Sequence, residues 1–269
     1  MTPAQAVLLA LVQAVTEFLP VSSSGHLILV PRLLGWPDQG LEFDIATNSG
    51  TLLAVVAYFR RDLAAMARGA AAAVRGGDAC LPEARLAWVL LLATVPAAVT
   101  GLLIKDWVAT AARGWELIAV NAVVYGTLLV AADRFGRKRR PLAELGRREG
   151  LWIGAAQALA LVPGTSRSGV TMTAALALGY DRESAARFAF LLAVPIGVLV
   201  GAKQLLDLAL GVPLGVPPAA LAIGVAVSAL AGYAVIALLL GWVRRRSLAV
   251  FGAYRLLLAG SLWFYFTGA

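Results

Sequence analysis

Cysteine and histidine are almost missing from this 269-residue chain, with one of each, Cys80 and His26. A single cysteine excludes an internal disulfide, and Cys80, in a basic stretch between apolar segments, reads as a spectator thiol. Charge is scarce as well. Only 14% of residues are charged while 60% are hydrophobic, and mean hydropathy is +0.81, which excludes an ordinary soluble domain. What charge there is runs basic, 23 Lys and Arg against 15 Asp and Glu, a net +8. On a soluble protein that excess would raise nucleic-acid binding. Here the basic residues are confined to gaps between apolar runs: Arg60, Arg61, Arg68 and Arg75; Arg134 to Arg148; and Arg244, Arg245 and Arg246. That is the pattern of cytoplasmic loops in a membrane protein, whose natural partners are anionic lipid headgroups and not nucleic acid. No Lys or Arg precedes Arg32, and Glu17 interrupts the first apolar run, so the N-terminal segment reads as part of the membrane domain and not as a cleaved leader.

Six segments are long enough to cross a bilayer: 43–59, 85–103, 117–132, 188–210, 219–243 and 248–266. Four more, 3–19, 22–34, 151–161 and 166–178, fall short of the roughly 20 apolar residues a crossing needs, and Pro20 and Pro163 stop the first member of each pair. Each short pair reads as a re-entrant hairpin with a Pro/Gly/Ser-rich tip, a form tolerated at membrane depth only inside protein or along a wet cavity. With the basic loops inside, the first hairpin (3–35) enters from the outer face and the second (151–180) from the cytoplasmic face. The expected fold is an all-α integral membrane protein: six transmembrane helices plus two re-entrant helical hairpins in an inverted-topology repeat. Residues 1–145 form the first repeat and 146–269 the second, within one membrane domain. Such repeats place a binding site near the midplane.

The polar residues sit at the two tips. LVQAVTEFLPVSSSGH (11–26) carries Gln13, Glu17, Ser23 and His26, and AAQALALVPGTSRSGVT (155–171) carries Gln157, Gly164, Thr165, Ser166, Arg167, Ser168 and Thr171. Ionisable groups in such surroundings are functional candidates by default. At the second tip, backbone N–H groups and the positive end of a helix dipole face the turn, and Arg167 adds a planar fork suited to phosphate. Thr171 shares the face of Arg167, and Ser166 and Ser168 add donors. At the first tip Gln13 and Glu17 share a face. Glu17 can accept a proton or, with Gln13, bind a divalent cation through oxygen. Ser23 is the candidate nucleophile and His26 the candidate acid or base. The plainer alternatives are close packing by the small residues, an ion pair of Glu17 with Arg167, and a hydrogen-bonded structural His26. Ser22 and Ser24 read as turn and cap residues, Gln157 as a brace of the tip, and Asn48 as a residue facing the cavity. An anion cradle opposite a carboxylate, a hydroxyl and an imidazole suits phosphoryl transfer, and a site within the bilayer points to a substrate that is partly lipid.

TEFLPVSSSGH (16–26) and PGTSRSGVT (163–171), in this order and with a basic loop between them, closely resemble the bacterial undecaprenyl-diphosphatase, or bacitracin-resistance, family. FDIATNSGTLLAVVAYFRRDL (43–63), RFAFLLAVPIG (187–197) and AYRLLLAG (253–260) extend the resemblance over essentially the whole chain. It implies hydrolysis of undecaprenyl diphosphate to undecaprenyl phosphate and phosphate, recycling the lipid carrier for peptidoglycan. It further implies a divalent cation, Mg²⁺ or Ca²⁺, and a site opening to the outer face of the bacterial cytoplasmic membrane. Carried over, Glu17 is the key carboxylate, Ser23 the nucleophile with water as the variant, His26 its acid/base partner, and Arg167 the phosphate clamp. Ser166, Ser168 and Thr171 complete the phosphate pocket. Gln13 stands where many relatives have a second Glu, and Asn48 where they often have His or Gln. The sequence leaves a homodimer open. The rival reading is a transporter or flippase for a phosphorylated polyprenyl lipid, which needs the cradle but not the Ser23 and His26 pair.

Overall fold

The computed structural model describes residues 1–76, 81–111, 114–210 and 215–268; Cys80 lies outside the described residues. The described chain is almost wholly helical, with α1 at Pro3–Phe18, α2 at Ser23–Leu33, α3 at Leu41–Tyr58, α4 at Arg60–Val74 and α5 at Pro82–Ala111. There follow α6 at Trp115–Phe135, α7 at Arg147–Ala158, α8 at Arg167–Ala177, α9 at Arg182–Ala209, α10 at Pro218–Val243 and α11 at Ala249–Thr267. Five of these, α5, α6, α9, α10 and α11, are long and apolar enough to cross a membrane, which makes the chain a multi-pass integral membrane protein. Segment 43–59 is indeed a helix, α3, but Glu42, Asp44, Thr47, Asn48 and Ser49 crowd its first turns and keep it below that hydropathy.

The short helices end where prolines require it. Leu19 before Pro20 and Val162 before Pro163 are both extended, as the residue before proline must be, so α1 and the single 3-10 turn that follows α7 stop there. The restarts are also alike. Ser22 and Ser166 hold positive φ of 76° and 74°, and each accepts from the backbone of the Gly three residues on, at 3.4 Å for Gly25 and 3.1 Å for Gly169. A non-glycine residue in that region costs free energy. The cap hydrogen bond offsets it and points the first backbone N–H groups of α2 and α8 into the turns.

Between helices in lipid, burial gives little drive, so close approach at small residues takes over. Gly224, Ser228 and Gly232 of α10 lie against Phe43, Thr47, Gly50 and Ala54 of α3 and Phe18 of α1, and Gly126 of α6 meets Gly252 of α11. Phe18, Phe59 and Phe190 form the aromatic centre, with the Phe18 and Phe190 rings edge-on at 5.3 Å. Gly154 of α7 sits so close to α5 that a Cβ there would lie 2.1 Å from the carbonyl oxygen of Ala93. Gly154→Ala, which would raise stability by about 1 kcal/mol on helix propensity alone, is therefore expected to lower the thermal midpoint of the detergent-solubilised protein.

One end of the bundle collects the basic loops. Buried Asp133 of α6 binds Arg182 at 2.5 and 3.1 Å and accepts from the Leu248 backbone at 3.1 Å and from the Ser247 hydroxyl. Arg187 pairs with Asp62 at 2.9 Å, and Arg244 with Glu183 at 2.6 Å. The stretches 60–76, 133–149 and 244–247 thus lie together at this end. Here, too, the Arg140 guanidinium beside Glu149 holds that carboxyl below its usual range, and burial pushes the Tyr180 phenol up to about 12, so it stays neutral.

Candidate active site

Both tips converge on one carboxylate. Oε2 of Glu17, in the last turn of α1, accepts from the Ser23 hydroxyl at 2.6 Å and from Nε2 of Gln13, one turn back, at 3.1 Å. Oε1 of Glu17 takes an ion pair from Arg167 of α8. Ser23 and Arg167 occupy the same place in their helices, the first position after the Ser22 and Ser166 caps. The repeated turn therefore delivers a hydroxyl from one side and a guanidinium from the other to the two oxygens of a single group. Such charge at low polarity is tolerable because the carboxylate and the guanidinium are paired with each other and both carboxylate oxygens accept hydrogen bonds. The ion pair with Arg167 is thus formed, and the Ser23 contact comes with it.

The other hydroxyls are spent on the turns themselves. Ser168 donates to the backbone oxygens of Glu17 and Leu19 at 3.1 and 3.2 Å, stitching the second tip to the first. Ser166 is the cap of α8, and Thr171 donates back to the Arg167 carbonyl at 2.7 Å. Thr165 is buried, and its hydroxyl has no partner among the described residues. Gly164, at φ +89°, could carry no side chain: a Cβ would lie 2.7 Å from the Ile118 Cα. The Ser22 cap matches its expected role. Gln157, expected to brace the tip, instead has both ends of its buried amide without a hydrogen-bond partner among the described residues. Asn48 lines a small opening, about 10 Å³, together with Phe18, Thr51 and Arg167.

His26 lies one turn beyond Ser23 but does not touch it. Its Nδ1 meets the Ser22 carbonyl at 2.7 Å, and its Nε2 meets the Tyr254 hydroxyl of α11 at 2.7 Å. Arg255, the next residue, is 1% exposed and binds only carbonyl oxygens: Gly164 at 2.7 Å, Thr165 at 2.9 Å and Pro20 at 3.4 Å from the tips, and Asn121 at 2.9 Å and Ala122 at 3.4 Å from α6. Asn121 also donates to the Pro163 carbonyl at 2.8 Å. Tyr254, Arg255 and Asn121 escaped the reading of the sequence. The signal for Arg255 was present: an arginine alone in an apolar helix must have a buried purpose.

A resident divalent cation does not suit this donor set. Among the described residues no three His, Cys, Asp or Glu side chains lie together, and both oxygens of Glu17 already receive protons from Arg167, Ser23 and Gln13. What the arrangement can do is take the proton of Ser23 at Glu17 while Arg167 and the first N–H groups of α8 face an anion.

The comparisons agree with this chemistry. Residues 6–261 match the family described as bacitracin resistance protein BacA. A protein of Magnetococcus marinus named undecaprenyl-diphosphatase is 50% identical over 256 residues, which is 94% of this chain and 95% of that protein. One of the same name from Alcanivorax borkumensis is 48% identical over 267 residues, 97% and 98% of the two chains. Another, from Nitrosococcus oceani, is 47% identical over 259 residues, 96% and 97%. With a match spanning nearly its whole length and its tip residues assembled around one carboxylate, the chain belongs to the bacitracin resistance protein BacA family.

Proposed function

We propose that the protein hydrolyses undecaprenyl diphosphate to undecaprenyl phosphate and inorganic phosphate, with Glu17, Ser23, His26 and Arg167 as the working residues. The observation that carries this reading is the Glu17 carboxylate, 2.6 Å from the Ser23 hydroxyl and ion-paired to Arg167 of the other tip. Glu17 takes the Ser23 proton as Oγ attacks the terminal phosphorus. The bond from that phosphorus to the bridging oxygen breaks, and the lipid monophosphate leaves as the anion. Arg167 turns from Glu17 to the phosphoryl oxygens, helped by the backbone N–H groups at the start of α8. Water then gives a proton to Nε2 of His26 as its oxygen displaces Ser23 from the phosphoserine. The proton on Glu17 returns to the Ser23 oxygen, and His26 passes its own to the departing phosphate. Gln13 orients Glu17; Ser166, Ser168 and Thr171 hold the shape of the pocket through the turn. The Mg²⁺ or Ca²⁺ requirement belongs, in this reading, to the substrate diphosphate and not to a cage of protein ligands.

The same reading sets the protein in the bacterial cytoplasmic membrane, with α3 as the sixth span. The pairs α1/α2 and α7/α8 are re-entrant hairpins of two inverted repeats, 1–145 and 146–269. It is supported by the clustering of basic loops at one end, by the matched Ser22 and Ser166 caps, and by the equal spacing of Gln13 to Ser22 and Gln157 to Ser166. The site opens to the outer face, away from the basic end.

The test is phosphate release from undecaprenyl diphosphate by the purified full chain in detergent, with Mg²⁺ or Ca²⁺ and then with excess chelator. Release that stops on chelation is expected. No release from folded protein with either ion would overturn the reading.

A further inference from the structure

His26 has no free nitrogen. A carbonyl only accepts, so the 2.7 Å contact to the Ser22 oxygen fixes the proton of the neutral ring on Nδ1. Nε2 is then the acceptor, and the Tyr254 hydroxyl at 2.7 Å donates to it. The two rings also stack, with centroids 5.8 Å apart and planes 12° from parallel. For His26 to serve as acid or base, one of these contacts must open, and they are not equally free to do so. The Ser22 carbonyl belongs to the first turn of α2, behind a cap held at positive φ, and accepts the His26 backbone N–H at 3.2 Å as well. Tyr254, by contrast, is 43% exposed on the outer flank of α11, where its ring can move without repacking the bundle.

We propose that Tyr254 is a positioning residue acting through His26: its hydroxyl holds the neutral, Nδ1-protonated imidazole with Nε2 aimed, and it yields Nε2 when the lipid diphosphate enters. The attacking water, a donor like the phenol, then takes its place as the partner of Nε2, which accepts a proton from it. No covalent bond to Tyr254 forms or breaks. The kinetic part of this inference rests on the diphosphatase reading; the structural part does not.

The experiment uses the single histidine. Full-length protein labelled with ¹⁵N-histidine gives one pair of imidazole nitrogens, and Tyr254→Phe keeps the stacked ring while removing one oxygen. In wild type, Nδ1 is expected to be protonated and Nε2 to resonate as a hydrogen-bonded acceptor. In Tyr254→Phe, Nε2 should shift to the position of an unbonded acceptor or exchange protons with Nδ1. With undecaprenyl diphosphate as substrate, kcat should fall about tenfold while KM stays within about twofold. The double variant with His26→Ala should be no slower than His26→Ala alone. An unchanged Nε2 signal, or an unchanged kcat in an active enzyme, would overturn the proposal. If wild type releases no phosphate, the diphosphatase reading fails, and the nitrogen spectra still decide whether Tyr254 sets the state of His26.

Discussion

Glu17→Gln is expected to lower kcat for phosphate release by about a thousandfold, leaving a folded protein. The substitution keeps the size of the side chain and changes what its end atoms can do. In the native site both oxygens only accept, and every neighbour donates: Arg167 to Oε1, Ser23 and Gln13 to Oε2. An amide presents one oxygen and one NH₂ group, so at least one donor meets a donor, and the base that takes the Ser23 proton is gone. Arg167→Ala should be as damaging for another reason. It leaves Glu17 and Ser23 paired but removes the fixed charge that meets the phosphate, so KM should rise as kcat falls. The contrast separates the two roles. Steady-state phosphate release, with the thermal midpoint as a control for folding, would show it. Activity of Glu17→Gln within tenfold of wild type would take the carboxylate out of the chemistry.

How much of this was legible in the sequence depended on what each residue answers to. The ends of α1 and α2, and of α7 and α8, followed from Pro20, Pro163 and the serine turns, because proline geometry and capping act within a few residues. The meeting of Glu17 with Arg167 was legible only as the plainer alternative to a catalytic carboxylate, on the ground that opposite charges in an apolar chain have few other partners. The partner of His26 was not legible. Tyr254 lies on α11, and a tyrosine near the end of an apolar helix is an ordinary interfacial residue until the fold brings it to an imidazole. Gln157 failed in the opposite sense: its place mirrors that of Gln13, but Leu161 stands where the first half has Glu17, so the mirrored amide has no carboxylate to bind. The shape of α3 was half read. Its helix was expected, and its polar first turns, which line the cavity at Asn48, set it apart from the five apolar spans.

Arg255 carries the second large prediction. Its guanidinium offers five N–H groups, and five carbonyl oxygens of the two tips and α6 receive them. Three of those carbonyls, of Pro20, Gly164 and Thr165, belong to turns broken by proline and glycine, where no helix supplies a donor, so the side chain takes the role that backbone hydrogen bonding cannot fill; Asn121 and Ala122 anchor it to α6. Arg255→Met is about the right size and removes the cost of burying a charge, which offsets part of the loss. The unpaired carbonyls remain, at about 1–3 kcal/mol each where water cannot reach them. The net expectation is a loss of about 3 kcal/mol, seen as a lower thermal midpoint, with phosphate release at background. Arg255→Lys decides what the residue is for. Lysine keeps the positive charge near the tips but replaces a planar fork by a single ammonium that cannot span carbonyls from three segments. If charge alone drew the diphosphate in, Arg255→Lys would retain most activity. The geometry of five divided contacts argues that holding Gly164 and Thr165 against Pro20 is what counts. A shift of about 1 Å between the tips is enough to cost about a hundredfold in kcat, because Glu17, Ser23 and Arg167 reach one another only across that joint. Arg255→Lys is therefore expected to fail in kcat by that amount while folding better than Arg255→Met.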